Sequence, residues 1–127
     1  MKCYAIKEHH LYNKAFRKGT RFVGKTIAVY VLRDFAARRL MLANPEKKYL
    51  NRVGLSVSKK LGGAVVRNRA KRLLREAYRT VAKEHPIKTG YLVVLVARDE
   101  IREKKAGDVT RELRRAFRVL DFYGDAT

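Results

Sequence analysis

Apolar and polar positions along the chain switch between two periods. Over residues 8–18, Leu11 and Ala15, flanked by Tyr12 and Phe16, recur at helical spacing ahead of Gly19, predicting a short helix. In residues 25–32, Ile27, Val29 and Val31 alternate with Thr26, Ala28 and Tyr30, which is strand periodicity. An optional short strand is assigned to residues 39–43. It precedes a loop over residues 42–51, where Asn44, Pro45, Glu46, Lys47 and Lys48 supply turn chemistry. Residues 52–58 alternate again as a strand, and Lys59 to Gly63 turn the chain into a long helix over residues 64–84. Pro86 stops that helix by disfavouring helical backbone at His85. The unbroken aliphatic run of residues 91–97 predicts a strand covered on both faces, hence central in its sheet. A last helix, residues 106–120, places Val109, Leu113, Ala116, Phe117 and Leu120 on one side. The order α-β-β-(β)-α-β-α predicts an α+β fold, an α/β sandwich with helices packed on a small mixed sheet. With no repeat or linker, residues 1–127 are expected to form one domain.

The long helix divides sharply. At 100° per residue from Val66, the side chains of Ala70, Leu73, Leu74, Ala77 and Val81 fall between about −20° and +80°. Asn68, Arg72, Arg75 and Arg79 fall on the opposite side, between about 180° and 240°. Lys71 and Lys83 take the shoulders, and Arg67 and Arg69 flank the first turn. Glu76 is the only acid from Lys59 to Lys83. Like charges four apart, such as Arg67 and Lys71 or Arg75 and Arg79, destabilise a free helix by a few tenths of a kcal/mol each. A face that repels itself without relief points to an anionic partner. Gly62 and Gly63 allow close backbone approach, and an exposed helix N-terminus favours phosphate.

Composition extends this picture to the whole chain. Lys and Arg number 31 against 12 Asp and Glu, a formal charge of +19, yet 46% of residues are apolar. That excludes a disordered basic tail and indicates a folded domain that holds a polyanion, most simply nucleic acid. The excess is concentrated: residues 59–83 carry +8 and residues 1–25 carry +6. The single Cys3 excludes an internal disulfide and a multi-cysteine zinc site and fits a reducing compartment. No run reaches the ~18 apolar residues of a membrane span, and the first residues lack a signal-peptide stretch. A cytoplasmic location without membrane contact is therefore expected. His9, His10 and His85 lack metal-ligand spacing and are read as surface or capping residues, and no metal site is assigned. Lys104, Lys105, Arg111, Arg114, Arg115 and Arg118 are read as a solvated face, because five acids lie nearby.

The stretch from Lys59 to Tyr78, with Arg67-Asn68-Arg69 followed by Lys71-Arg72 and Arg75 and preceded by the strand 52–58, resembles the signature of the bacterial ribonuclease P protein subunit family. Tyr12, Phe16 and Gly19 match the two aromatics and the glycine of the family's first helix, whereas residues 35–50 are longer and less family-like and receive no function. The resemblance implies a left-handed βαβ crossover around the basic helix, against the usual right-handed rule. It implies a subunit of a ribonuclease that removes the 5′ leader of precursor tRNA, with catalysis and the required Mg²⁺ residing on the RNA subunit and no catalytic residue on this chain. It assigns Lys59, Lys60, Arg67, Asn68, Arg69, Lys71, Arg72 and Arg75 to the catalytic RNA, and it implies RNA partners, with no DNA expected. It assigns Tyr12, Phe16, Ala28 and Tyr30 to a cleft for the leader.

The residues support that cleft independently. Tyr12 and Phe16 are four apart on one helix side, and Ala28 and Tyr30 share a strand face opposite Ile27 and Val29, so they can form a sequence-tolerant stacking surface. Arg17, Lys18 and Arg21 become candidate phosphate contacts beside it. A structural RNA-binding protein of ribosomal type is the alternative, which explains the charge but not the aromatics. A stand-alone metal-dependent nuclease is disfavoured by scattered carboxylates.

Overall fold

A computed structural model describes residues 4–36, 39, 42, 43 and 51–124. Cys3 and the turn residues 44–48 lie outside them. The elements are β1 (Tyr4–Ala5), α1 (His9–Lys18), β2 (Thr20–Val23), β3 (Ile27–Arg33), β4 (Arg52–Ser56), a 3-10 turn (Lys59–Leu61), α2 (Ala64–Glu84), β5 (Tyr91–Ala97), a second 3-10 turn (Asp99–Glu103) and α3 (Ala106–Val119). The strands form one mixed sheet in the order β1-β4-β5-β3-β2. β5 is central, as its continuous apolar run requires, pairing parallel with β4 and antiparallel with β3. Because β4 and β5 are parallel neighbours, α2 must carry the chain back along the sheet between them.

The alternation along each strand sorts side chains between two layers. Ile27, Val29 and Val31 of β3 and Val93, Leu95 and Ala97 of β5 enter the main core beneath α2 and α3. That core meets the apolar stripe Ala70, Leu73, Leu74, Ala77 and Val81, all buried. Tyr78 is buried beyond the stripe because α3 covers that flank, Phe117 meeting its ring edge-on at 6.3 Å. On the other sheet face, Ala15 of α1 is sealed against Ile6, Leu92 and Val94.

Three expectations change. Arg39, Leu42 and Ala43 have helical backbone instead of forming a strand, which suits a segment rich in Ala, Arg, Leu and Met and free of β-branched residues. Residues 20–23 form a strand the periodicity did not reveal, antiparallel to β3 with Arg21 opposite Tyr30 and Val23 opposite Ala28. β1 is a two-residue strand that pairs with β4, too short to show a period.

Long-range polar ties lock the layers. Arg52 donates from Nε and Nη2 to both carboxylate oxygens of Asp34 at 2.7 and 2.8 Å and from Nη1 to Glu8 at 3.4 Å. The Asp34 carboxylate raises the Arg52 pKa above its ordinary value, favouring the charged guanidinium. Glu112 of α3 accepts the backbone N–H groups of Thr26 and Ile27 at 2.9 and 3.0 Å, ordering the start of β3.

Candidate RNA interfaces

The first interface is the cleft between α1 and the sheet. Gly19 ends α1 in close quarters: its N–H donates to Ala15 O at 2.9 Å, and a Cβ there would lie 2.5 Å from that oxygen and 2.9 Å from Val31 O. This tight exit aligns α1 over the sheet with Tyr12 and Phe16 on one flank. The ring of Phe16, exposed, meets Tyr30 edge-on, centroids 5.0 Å apart at 80°. Tyr12 lies directly over Gly54 of β4, where a Cβ would stand 2.6 Å from the ring. Only the missing side chain lets the phenol rest on the strand.

Ala28 is buried and Tyr30 half-buried, so Ala28 is floor and Tyr30 is wall. Register adds Val94, Val96, Gly54 and Ser56 to the same face, because each pairs across the ladder with a residue already on it. Arg21 joins them as the partner of Tyr30. Tyr12, Phe16, Ala28, Tyr30 and Arg21 are thus brought together. Arg17 projects outward from α1, two residues from the sealed Ala15. Lys18 is displaced: about 200° around the helix from Phe16, it lines a separate depression with Thr20, Leu32, Arg33 and Asp121.

The second interface is α2 with the turn before it. Ser58 caps that turn by accepting the Lys60 N–H at 3.2 Å, which leaves Lys59 and Lys60 exposed. Gly62 has φ +153°, a conformation that side-chain-bearing residues rarely adopt. Gly63 is the N-cap and makes no side-chain bond to the first turn; a Cβ on it would meet nothing within 4 Å. The N-terminal N–H groups therefore stay open to an acceptor. Asn68, Arg72 and Arg75 are exposed along the helix, and Arg67 and Lys71 are half-buried on one shoulder. Arg67 Nε is buried with no hydrogen-bond partner among the described residues.

Arg69 departs from the rest. On the opposite shoulder it donates to the carbonyl oxygens of Ile101 and Arg102, both at 3.4 Å, and of Lys104 at 2.6 Å. Its guanidinium holds the second 3-10 turn against α2, so much of its donor capacity is already used. Sequence spacing carried no sign of this, since the acceptors are backbone atoms more than 30 positions away.

Other charged groups separate along similar lines. Arg114 is bidentate to Glu84 at 2.6 and 2.7 Å, holding that carboxyl below its ordinary pKa. A depression of about 580 Å³ along α3 mixes Lys25, Arg111, Arg115 and Arg118 with Glu100, Asp108 and Glu112. His85 caps α2 and lies with its Nδ1 2.9 Å from Pro86 O, and its ring meets Tyr123 edge-on. Among the described residues no three His, Cys, Asp or Glu side chains come together as metal ligands, and no helix is long and apolar enough to cross a membrane.

Known proteins resemble the chain over nearly its full length. The Ribonuclease P family profile matches residues 1–121. The ribonuclease P protein component of Clostridioides difficile (strain 630) is 32% identical over 116 residues, 91% of this chain and 90% of that protein. That of Oceanobacillus iheyensis is 33% identical over 112 residues, 88% and 82% of the two chains. In three dimensions the Staphylococcus aureus RNase P protein superposes with a TM-score of 0.73 at 28% identity, covering 97% of this chain and 100% of that one. The Thermotoga maritima RNase P protein, at 20% identity, shares the fold with a TM-score of 0.67, covering 87% of this chain and 92% of that one. With sequence and fold in agreement from end to end, the chain belongs to the ribonuclease P protein component family.

Proposed function

We propose that this chain is the protein component of a cytoplasmic ribonuclease P, which cuts the 5′ leader from precursor tRNA to form the mature 5′ end. In this reading α2 and the Lys59–Leu61 turn hold the catalytic RNA, and the cleft beside α1 holds the leader. The catalytic RNA carries the Mg²⁺ ions that activate water for the cut. The protein's own residues neutralise phosphates and place single-stranded bases. Arg67, Asn68, Lys71, Arg72 and Arg75, with Lys59 and Lys60, present donors to the RNA backbone; Arg69 contributes chiefly by shaping that surface. Tyr12, Phe16 and Tyr30 offer aromatic faces and edges that accept any base, as an enzyme with many leaders requires.

The observation that carries the reading is the cleft: Tyr12 seated on Gly54 and Phe16 edge-on to Tyr30, beside Arg21. A merely structural RNA binder would not need three aromatic rings gathered between α1 and the sheet with Phe16 left exposed. The test is cleavage of precursor tRNA by a bacterial ribonuclease P RNA at low Mg²⁺, with and without this protein, since added cationic side chains replace counterions. Rescue is expected, and its absence would refute the proposal. Phe16→Ala is expected to weaken binding of precursor tRNA while leaving mature tRNA binding nearly unchanged. Equal loss for both would make Phe16 merely structural.

A further inference from the structure

The flank of α1 facing away from the cleft carries a second aromatic and basic groove, of about 320 Å³, to which neither the family resemblance nor the proposed function gives a role. Leu11 and Lys14 of α1 line it together with Arg33, Phe35, Arg39, Arg52 and Leu92. Phe35 is 75% exposed, and the backbone on both sides of it is pinned. Asp34 is buried in its bidentate pair with Arg52. Its N–H donates to Gly90 O at 2.9 Å, and its Oδ1 accepts the Ala36 N–H at 3.1 Å. The phenyl ring is thus held out of the core by the same contacts that bury its neighbour.

The groove's charge is one-sided. Lys14 Nζ stands 5.5 Å from the Phe35 ring centroid. Arg33 and Arg39 are exposed, and among the described residues none of Lys14, Arg33 and Arg39 forms an ion pair. The one carboxylate of the groove, Asp34, is already neutralised by Arg52. A large aromatic exposed at a fixed position, with three uncompensated cations around it, has the chemistry of a single-stranded nucleic-acid platform: one ring face for a base and cations for the flanking phosphates.

We propose that Phe35, with Lys14, Arg33 and Arg39, is a second stacking station for single-stranded RNA, on the opposite side of α1 from the leader cleft. The inference rests on the reading of this chain as an RNA-binding subunit and adds a site to it. The same exposed ring and cations would also suit an anionic lipid surface. The site is concave and lined by Lys14, Arg33 and Arg39 beside the Phe35 ring, which favours a strand lying in it over a flat lipid surface.

The test is fluorescence anisotropy of a labelled oligoadenylate on the full-length chain, with Phe35→Ala, Phe35→Trp and Phe16→Ala. Phe35→Ala is expected to weaken binding about tenfold and Phe35→Trp to restore it. Lys14→Ala and Arg39→Ala should each lower the salt slope by about 0.7. Phe35→Ala binding within twofold of the parent would overturn the proposal. So would a loss of binding to phosphatidylserine vesicles with oligoadenylate binding intact. Precursor tRNA cleavage, measured in parallel, separates the two readings. A Phe16→Ala defect in precursor binding with no Phe35→Ala effect leaves the cleft and removes the second station. Failure of the parent protein to rescue cleavage, with the Phe35→Ala effect present, does the reverse.

Discussion

Gly54→Ala probes the contact on which the proposed leader cleft depends. The new Cβ would lie 2.6 Å from Cε1, Cζ and Oη of Tyr12. Ordinary carbon contacts are about 3.5–4.0 Å, so the ring must retreat by roughly 1 Å or more. The backbone at Gly54 has no conformation that excludes alanine, since its φ is not positive, and the obstructing atoms are the end of a side chain. The strand should therefore stay in place while Tyr12 leaves it. Overfilling a packed site costs about 1–3 kcal/mol, and a movable, half-buried ring puts this case near the lower figure. For a domain of this size, a loss of that order lowers Tm by roughly 3–5 °C. Base stacking contributes about 1–3 kcal/mol per base, so displacing Tyr12 should weaken precursor tRNA binding about tenfold and leave mature tRNA binding unchanged. Thermal melting and the two affinities should be measured for Gly54→Ala, Tyr12→Ala and the double variant. If Tyr12 is the reason glycine is needed, Gly54→Ala should add little once Tyr12 is alanine. An undiminished cost in the double variant would refute the argument, as would parental precursor affinity in Gly54→Ala.

Arg67 and Arg69 should separate despite lying two positions apart. Arg69→Ala removes charged donors from three carbonyls and should destabilise the fold by about 1.5–3 kcal/mol in urea unfolding. Arg67→Ala should leave stability nearly unchanged and lower the salt slope of catalytic-RNA binding by about one; similar melting of the two variants would contradict this division. Arg52→Ala strands the buried Asp34 carboxylate and should cost about 3–5 kcal/mol in urea unfolding, and a loss below 1 kcal/mol would mean that the pair is not anchoring β3 to β4. Glu112→Ala leaves the N–H groups of Thr26 and Ile27 without their acceptor, an expected cost of about 1–3 kcal/mol, checked by hydrogen exchange at those two amides.

The split character of α2 was readable from sequence because it is a local property: 3.6-residue periodicity places Ala70, Leu73, Leu74, Ala77 and Val81 on one side whatever they pack against. The centrality of β5 was readable for a similar reason, since a strand apolar at every position needs cover on both faces. The strand at residues 20–23 was not. Four residues hold too few periods, and the hydrogen bonds that define it come from β3. Residues 39–43 misled in the other direction, because so short an apolar run fits either period.

The sequence by itself determined that a basic helix would carry a single acid, Glu76, from Lys59 to Lys83 and that aromatics at positions 12 and 16 would share a helix flank. Both follow from spacing and charge count alone. Tertiary structure decided which cations remain free and which are consumed. Arg69 is drawn to carbonyls up to 35 positions away, and Arg52 to an aspartate 18 away. It also decided that Tyr12 rests on Gly54 and that Phe35 is held in the open. Each of these depends on residues far apart in the chain meeting across the sheet, and nearest-neighbour spacing contains no information about such meetings.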